Sequence, residues 1–275
     1  FDGNSALAYL NDTGRIDSAP PELIQVVGGG LDYHRLTGGA FDITVKPIID
    51  LFRDPQTYES RIPPSNAELS EARELVGSEY VGVDDRNVSL SRNGMGLTLD
   101  GIAKGYIVDA MADALSGHGA TRFLINAGGD IRAAGDRGDK LPWTIAVRDP
   151  EDKVPSWDNE SWQRSIVPDL IQITAGGVAT SGSYEVYFDR DRLAHHIVKG
   201  QTGRSPTHAM SVTVAAATTM EADALATAVF VLGPNEGKRL IDELDGCECL
   251  IIDRQGKQAR SSGWGGIATS GSKPE

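Results

Sequence analysis

Residues 218–228 are almost entirely apolar, yet they carry an acid and a hydroxyl four positions apart. In a helix, positions i and i+4 lie on one face, so Asp223 and Thr227 would point in the same direction. A carboxylate among apolar neighbours is costly unless it is paired or bound to a cation. Both side chains offer the hard oxygen ligands that Mg²⁺ prefers. Equally, Asp223 could complement the helix dipole and Thr227 could bond to the preceding turn, so spacing alone leaves both interpretations open.

A second candidate segment runs from Gly38 and Gly39 through Ala40 and Phe41 to Asp42. Glycines permit close backbone approach, an aromatic ring can cover another ring, and an acid can accept hydrogen bonds from it. These features suit a bound heterocycle. A plain turn would explain the same residues.

A third candidate is the stretch Asp100-Gly101 followed by Lys104. Here a predicted strand ends and a helix begins, which leaves backbone N–H groups beside a lysine and suits phosphate oxygens. Alternatively, Asp100 caps the helix and Lys104 is merely solvated. The P-loop and dinucleotide fingerprints, GxxxxGK[ST] and GxGxxG, are both absent at this corner.

Hydroxyl residues at 180–183 and a histidine pair at 195–196 form the last candidate. Ser181 lacks the G-x-S-x-G elbow, which argues against a serine hydrolase. A neutral imidazole could still act as a base toward a hydroxyl. A structural histidine beside an apolar strand is the commoner alternative.

Composition limits the classes of partner. The 275 residues carry a formal charge of −13, which disfavours a nucleic-acid partner, and 40% are hydrophobic, enough for a large core. No apolar run approaches the length of a membrane span. Cys247 and Cys249 are expected to be buried free thiols, because i and i+2 geometry disfavours a disulfide. Since the chain opens on Phe1, we expect a removed leader or a start inside the gene.

Hydrophobic periodicity and turn signals predict the elements that must position these residues. A helix starting at Gly101 is expected to bury Ile107, Met111, Ala114 and Leu115. Capping boxes begin helices after Ser65 and Thr218. Other helices are predicted at 5–10, 46–52 and 236–244, and one at 20–31 that is weakened by three glycines.

Strands are predicted at 80–83, 88–91, 95–99, 123–125, 143–147, 170–174, 178–181, 185–188, 210–216 and 249–252. A polar surface excursion is expected at 149–168 and a mobile tail at 261–275. Hairpins interspersed with helices favour one α+β domain over residues 1–260 rather than a doubly wound sheet.

Taken together, the candidate segments resemble the ApbE family of FAD:protein FMN transferases. The matching pieces occur in the family's order over about residues 5–253: 37–42, 101–106, 126–130, 178–182, 196–198 with 202–203, and 221–228. Any one of them is unspecific, but their ordered series is hard to explain otherwise.

The resemblance implies a single T-fold-like α+β domain with mixed or antiparallel sheets that binds FAD and Mg²⁺. Such enzymes cleave the FAD pyrophosphate, attach FMN to a Thr or Ser hydroxyl of another protein and release AMP. The acceptor is expected to be an extracytoplasmic redox protein with a D-G-x-[ST]-G-A-[ST] motif. The resemblance therefore favours an extracytoplasmic, periplasmic location, with a lipid anchor ahead of Phe1 and a cytoplasmic location left open.

The resemblance also assigns roles to residues. Gly101 through its carbonyl, Asp223 and Thr227 through their side chains, and Ala226 through its backbone match the metal ligands. His196 is the candidate base. FAD contacts are expected from Phe1, Ala40, Phe41, Asp42, Thr98, Asp100, Lys104 and Val198.

Three positions depart from the family pattern. The family's D-L-G-G has become Thr98-Leu99-Asp100-Gly101, so the acid has moved two residues and Asp100 would substitute for it. Lys199 replaces an acid after His196, which leaves open whether His195 or His196 faces the site. The family's N-terminal strand and flavin-contacting methionine do not appear before Phe1. A Mg²⁺-dependent FAD pyrophosphatase and a non-enzymatic FAD-binding protein are the alternative functions.

Overall fold

A computed structural model of the protein describes residues 3, 5–150, 169–184 and 186–265. Within these ranges the chain forms eight α-helices and eleven strands. The helices are α1 (Ala6–Thr13), α2 (Pro21–Leu36), α3 (Lys46–Arg53), α4 (Pro55–Ser60), α5 (Asn66–Arg73), α6 (Ala103–Gly117), α7 (Thr219–Leu232) and α8 (Pro234–Asp242).

The strands form three antiparallel sheets. They are β1 (Arg15–Asp17), β2 (Val81–Val83), β3 (Asn87–Leu90), β4 (Phe123–Ala127), β5 (Asp130–Ala134), β6 (Trp143–Val147), β7 (Asp169–Ile173), β8 (Ala175–Gly182), β9 (Ser211–Ala216), β10 (Glu248–Ile252) and β11 (Gln258–Arg260). The main sheet has the order β11-β10-β9-β8-β5-β4, beside a β1-β3-β2 sheet and a two-stranded β6-β7 sheet. The predicted α+β class with antiparallel sheets is confirmed.

Helix α7 lies in the main core, on one face of the six-stranded sheet. Ten of its residues are buried, and Leu225 and Phe230 are fully so. The β6-β7 sheet contributes Ile145 and Ile171 to a second apolar cluster that includes residues of β5, β8, β9 and β10. With both of its faces covered, strand β9 is buried along its whole length.

The start of α7 is fixed by polar contacts from several directions. Thr218 accepts a hydrogen bond from the Glu221 N–H at 3.1 Å. The carboxylate of Glu221 bonds to Ala217 rather than to Thr218, so the expected capping box is half formed. Asp109 of α6 accepts bonds from the N–H groups of Thr219 (2.9 Å) and Met220 (2.8 Å). The helix N-terminus is thereby satisfied and held against α6.

Two glycines let α7 touch its neighbours at backbone distance. A Cβ on Gly105 of α6 would lie 2.4 Å from the Thr219 carbonyl oxygen, and one on Gly177 of β8 would lie 2.4 Å from the Thr219 nitrogen. Both contacts are with backbone, which cannot move aside as a flexible side chain can. The approach of α6 to α7 therefore depends on the absence of a side chain at Gly105.

Several predicted elements are confirmed with shifted ends, and α2 is longer than predicted. It continues through Gly28, Gly29 and Gly30 to Leu36. A Cβ on Gly30 would lie 2.8 Å from a side-chain carbon of Ile43, so close packing compensates for the poor helix propensity there. The free thiols Cys247 and Cys249 are buried as expected.

Two predicted strands and one predicted helix face were wrong. Residues 95–99 form no strand, because Leu97 bonds to the Asn11 side chain and Thr98 to the Ile43 carbonyl instead of to a sheet. Residues 186–188 contain only an isolated bridge from Tyr187 to His195. On α6 the buried face consists of Gly105, Val108 and Ala112, whereas Ile107, Met111 and Leu115 are exposed. Small residues occupy the buried face of α6 because this face packs closely against α7.

Sequence reasoning missed the short elements β1, α4, β5 and β11. The predicted excursion at 149–168 falls almost wholly outside the described residues, as do residues 266–275 of the predicted tail. Ser261 is buried and donates its N–H to the Cys249 carbonyl at 3.0 Å, so the described residues after 260 begin against β10. The division of the chain at residue 260 stays a prediction. None of the helices in the described residues is both long and apolar enough to span a bilayer.

We expect Gly105→Ala to lower the free energy of unfolding by about 1–3 kcal/mol, because the added methyl would push against the α7 backbone. Gly117→Ala is the matched control in the same helix, since a Cβ there meets nothing within 4 Å. Urea unfolding of both variants checks this. Equal stabilities would show that α6 and α7 do not require their close approach.

Candidate active site

A single cavity of about 480 Å³ collects residues from widely separated parts of the chain, and this volume is typical of small-molecule sites. Its walls come from the 40–45 loop, the 98–101 segment, α3, α6, β8, the 196–198 segment and α7. The predicted site residues that line it are Ala40, Phe41, Asp42, Thr98, Asp100, Gly101, Lys104, His196, Val198, Asp223 and Thr227.

Two predicted site residues are not among them. Ala226 is fully buried in α7 and does not line the cavity, so its proposed backbone contact stays a prediction. Phe1 lies outside the described residues.

The cavity floor brings together three kinds of oxygen. Asp223 is only 4% exposed, and its Oδ2 accepts a hydrogen bond from the Gly105 N–H at 3.1 Å. One turn further along α7, the Thr227 hydroxyl lies 3.1 Å from that of Ser181. A Cβ on Gly101 would lie 2.9 Å from Thr227 Oγ1, so the backbone of Gly101 passes directly beside this hydroxyl. The three groups expected to bind a metal, which are the carboxylate of Asp223, the hydroxyl of Thr227 and the carbonyl of Gly101, thus belong to residues of one small region.

Electrostatics favour a cation beside Asp223. Burial raises the pKa of Asp223 to about 7, helped by the nearby charge of Asp130 and opposed by Lys104 and the Gly105 N–H. Lys104 and the Gly105 N–H compensate only in part for the burial of the Asp223 carboxylate, so a divalent ion would stabilise its ionised form. Among the described residues no three His, Cys, Asp or Glu side chains converge as a metal site, so an ion here would need hydroxyl and carbonyl ligands as well. Gly101 and Thr227 supply ligands of that type, and the donor set fits Mg²⁺.

The loop at 37–42 forms another wall. Gly38 (φ 59°) and Gly39 (φ 81°) both adopt left-handed backbone conformations. Thr37 then accepts a hydrogen bond from the Phe41 N–H at 3.0 Å. Asp42 Oδ1 accepts bonds from the backbone and hydroxyl of Thr44 at 2.8 and 2.6 Å. Residues 37–42 therefore form a turn, and this turn presents the ring of Phe41 and the carboxylate of Asp42 to the cavity.

Asp100 and Thr98 both line the cavity although their segment is not a strand. Asp100 Oδ2 lies 3.3 Å from a guanidinium nitrogen of Arg53, and both side chains are partly exposed at the cavity edge. Arg53 ends α3, and sequence reasoning missed it. Its one sequence signal was a basic residue in the last turn of a helix, which is too common to be specific.

The two histidines have different environments. His195 is fully buried, its Nε2 lies 2.9 Å from the Pro206 carbonyl, and its Nδ1 accepts from the Ile197 N–H at 3.3 Å. These bonds fit the neutral ring with the proton on Nε2. Burial lowers the pKa of His195 to about 4. His195 is therefore structural, and half-buried His196 is the histidine that lines the cavity.

The fold of this chain matches those of solved ApbE structures. The ApbE protein of Thermotoga maritima superposes with a TM-score of 0.83 and 32% identity over 95% of this chain and 83% of that one. The flavin transferase ApbE of Vibrio cholerae gives a TM-score of 0.78 at 29% identity, over 95% of this chain and 82% of that one.

Sequence relatives agree with the structural ones. The FAD:protein FMN transferase of Treponema pallidum is 31% identical over 90% of this chain and 71% of its own length. That of Escherichia coli strain K12 is 29% identical over 92% and 71%. Residues 1–251 match the ApbE family, and the chain belongs to it.

The neutral state of His195 predicts a pH-dependent stability. Because its folded pKa of about 4 lies below the ordinary value of about 6.5, the unfolded chain binds more protons between these pH values. This contribution to stability is fully present above pH 6.5 and is lost as pH falls toward 4, by about 2 kcal/mol at pH 5. We expect His195→Asn to remove that part of the pH dependence in urea unfolding. His118→Asn changes an exposed residue and should keep the full pH dependence. Identical pH profiles for the parent and both variants would refute the neutral, buried state of His195.

Proposed function

We propose that this protein transfers FMN from FAD to a Thr or Ser hydroxyl of an acceptor protein, with Mg²⁺ as cofactor and AMP as the leaving group. The observation that carries the proposal is the convergence, on one cavity, of residues up to 220 positions apart, from Leu7 to Thr227. Membership of the ApbE family and the names of its relatives support the same activity.

The cavity offers distinct surroundings for the parts of FAD. Phe41 gives an aromatic surface, and Asp42 adds a carboxylate whose Oδ1 is engaged by Thr44 and whose Oδ2 lies 3.6 Å from His34 Nδ1. Lys104 places an ammonium on the cavity wall, where it would attract the diphosphate. This arrangement would hold the two phosphates near α7 while the flavin lies against apolar residues.

The cation set consists of Asp223, Thr227 and the Gly101 carbonyl. A Mg²⁺ ion bound there would neutralise the diphosphate and stabilise the departing AMP. Gly105 donates its N–H to one oxygen of Asp223, which fixes the carboxylate and leaves its other oxygen for the ion.

His196 is assigned the role of base. Its Nδ1 is buried, so we assign proton acceptance to Nε2. The acceptor hydroxyl gives its proton to this nitrogen as its oxygen bonds to the FMN phosphorus, and the bond from that phosphorus to the oxygen bridging to AMP breaks. His195 holds the adjacent backbone through its bond to Ile197 and so restricts where His196 can point.

The acceptor and the location follow from the same proposal. The acceptor would be a redox protein that presents its hydroxyl in a D-G-x-[ST]-G-A-[ST] segment outside the cytoplasm. A short extended segment with Gly or Ala at three of its positions would fit a partly enclosed cavity more easily than a bulky one.

We expect a peptide with this motif to gain the mass of FMN less one water, as a phosphoester, when it is mixed with the protein, FAD and Mg²⁺, with one AMP released per adduct. Mass spectrometry and chromatography measure the two products. A peptide in which Ala replaces the acceptor residue is the control and should gain nothing. Release of AMP and free FMN without any adduct would support an FAD pyrophosphatase instead. Tight binding of intact FAD under saturating Mg²⁺ would support a non-enzymatic FAD-binding protein.

Asp223→Asn should lower Mg²⁺-dependent transfer by at least about 100-fold, since several kcal/mol of charge stabilisation are lost. Without Mg²⁺ at pH 8, its free energy of unfolding should equal or exceed that of the parent. The fold raises the pKa of Asp223, so burying the ionised form is unfavourable and a neutral amide removes that cost.

Turnover assays and urea unfolding measure the two effects. Asp113→Asn, an equivalent change at an exposed position of α6, should alter neither. Full activity of Asp223→Asn would remove the metal assignment.

A further inference from the structure

The cavity lysine is tied to an acid that has no role in the proposed chemistry. Lys104 Nζ lies 2.8 Å from Asp130 Oδ2, and their side chains are 55% and 2% exposed. The acid is buried, whereas most of the lysine faces the cavity and solvent. Asp130 is therefore the fixed member of the pair, and it determines where the ammonium rests.

Asp130 owes its fixed position to the hairpin that joins β4 to β5. Ala127 pairs with Asp130 across a two-residue loop, Gly128-Gly129, whose φ values are 69° and 104°. Two consecutive positive φ angles define the tight turn that suits antiparallel strands. The next residue, Ile131, accepts a hydrogen bond at 3.2 Å from the Thr219 hydroxyl at the start of α7. The backbone that carries this carboxylate is thus held from two sides.

The same lysine is close to a second carboxylate. Lys104 adjoins Gly105, whose N–H bonds to Asp223, and both Lys104 and Asp130 act electrostatically on Asp223. The ammonium therefore has two buried acids within reach of its charge. An ion pair with Asp223 would block the cation, because both would bind the carboxylate oxygen that Gly105 leaves open.

We propose that Asp130 is a positioning residue that holds the Lys104 ammonium away from Asp223, so that Asp223 stays free to bind the divalent cation while Lys104 faces the diphosphate. The inference rests on the metal set given under the proposed function. It also explains the N-A-G-G-D segment as a rigid hairpin that keeps two opposite charges of one site from neutralising each other.

The test is a double-mutant cycle with Mg²⁺ as the only ligand. Unfolding temperature against Mg²⁺ concentration gives the affinity of the parent chain, Asp130→Asn, Lys104→Met and the double variant. We expect Asp130→Asn to weaken Mg²⁺ binding about tenfold, because the released lysine pairs with Asp223. Lys104→Met should restore the affinity in the Asp130→Asn chain and change it by less than about threefold in the parent.

Asp242→Asn is the matched control, since it removes the same group from a Lys238 pair that lies outside the cavity. It should leave Mg²⁺ affinity unchanged. If Asp130 acted only through its own negative charge, Lys104→Met would shift the affinity equally in both backgrounds, and that additivity would overturn the inference. A parent chain that binds no Mg²⁺ would overturn it together with the metal set, whereas equal affinities of parent and Asp130→Asn would overturn the inference alone.

A second measurement needs no variant. The rate at which acetic anhydride modifies Lys104, followed by mass spectrometry, should be the same with and without Mg²⁺ if Asp130 holds the ammonium in both states. A rate that rises on addition of Mg²⁺ would show that the ion displaces Lys104 from Asp223, contrary to the inference.

Discussion

The position of one buried carboxylate is the constraint on which the rest of this structure depends. Asp223 lies in a helix whose other buried positions are mostly apolar, and it receives one backbone hydrogen bond, from Gly105. That bond exists only because α6 approaches α7 at backbone distance, which a side chain at Gly105 would prevent. Packing and site chemistry therefore share one contact: the glycine that lets the helices meet also orients the acid.

Other parts of the fold serve the same region from different directions. Asp109 holds the start of α7 against α6, and Gly177 lets β8 pass directly beside Thr219. Strand β8 then carries Ser181 to within 3.1 Å of Thr227. Several elements therefore meet around Asp223 and Thr227: the six-stranded sheet, two helices and the 98–101 segment.

Local signals could predict much of this arrangement. The Ser65 capping box occurs where sequence reasoning expected it, because it is decided by residues a few positions apart. The i, i+4 spacing of Asp223 and Thr227 correctly predicted a shared face on the cavity. Ordered motifs resembling a known family indicated which distant segments meet.

Features decided by long-range packing could not be predicted in this way. Ile107 and Met111 looked like a core stripe, yet α6 buries Gly105 and Ala112, since the short distance to α7 rewards small residues. Residues 95–99 have strand-like alternation, but Leu97 bonds to the Asn11 side chain and Thr98 to the Ile43 carbonyl. The choice between His195 and His196 depended on a carbonyl eleven residues away, which no local pattern encodes.

The near-complete burial of α7 has a consequence for how this protein can diversify. Ten of the helix's positions are enclosed, so most exchanges there would disturb stability before they altered selectivity. Rim residues such as Arg53 and Asp100 are partly solvated and tolerate change far better. We therefore expect relatives with altered substrate selectivity to differ in residues at the cavity edge, while the sequence of α7 changes little.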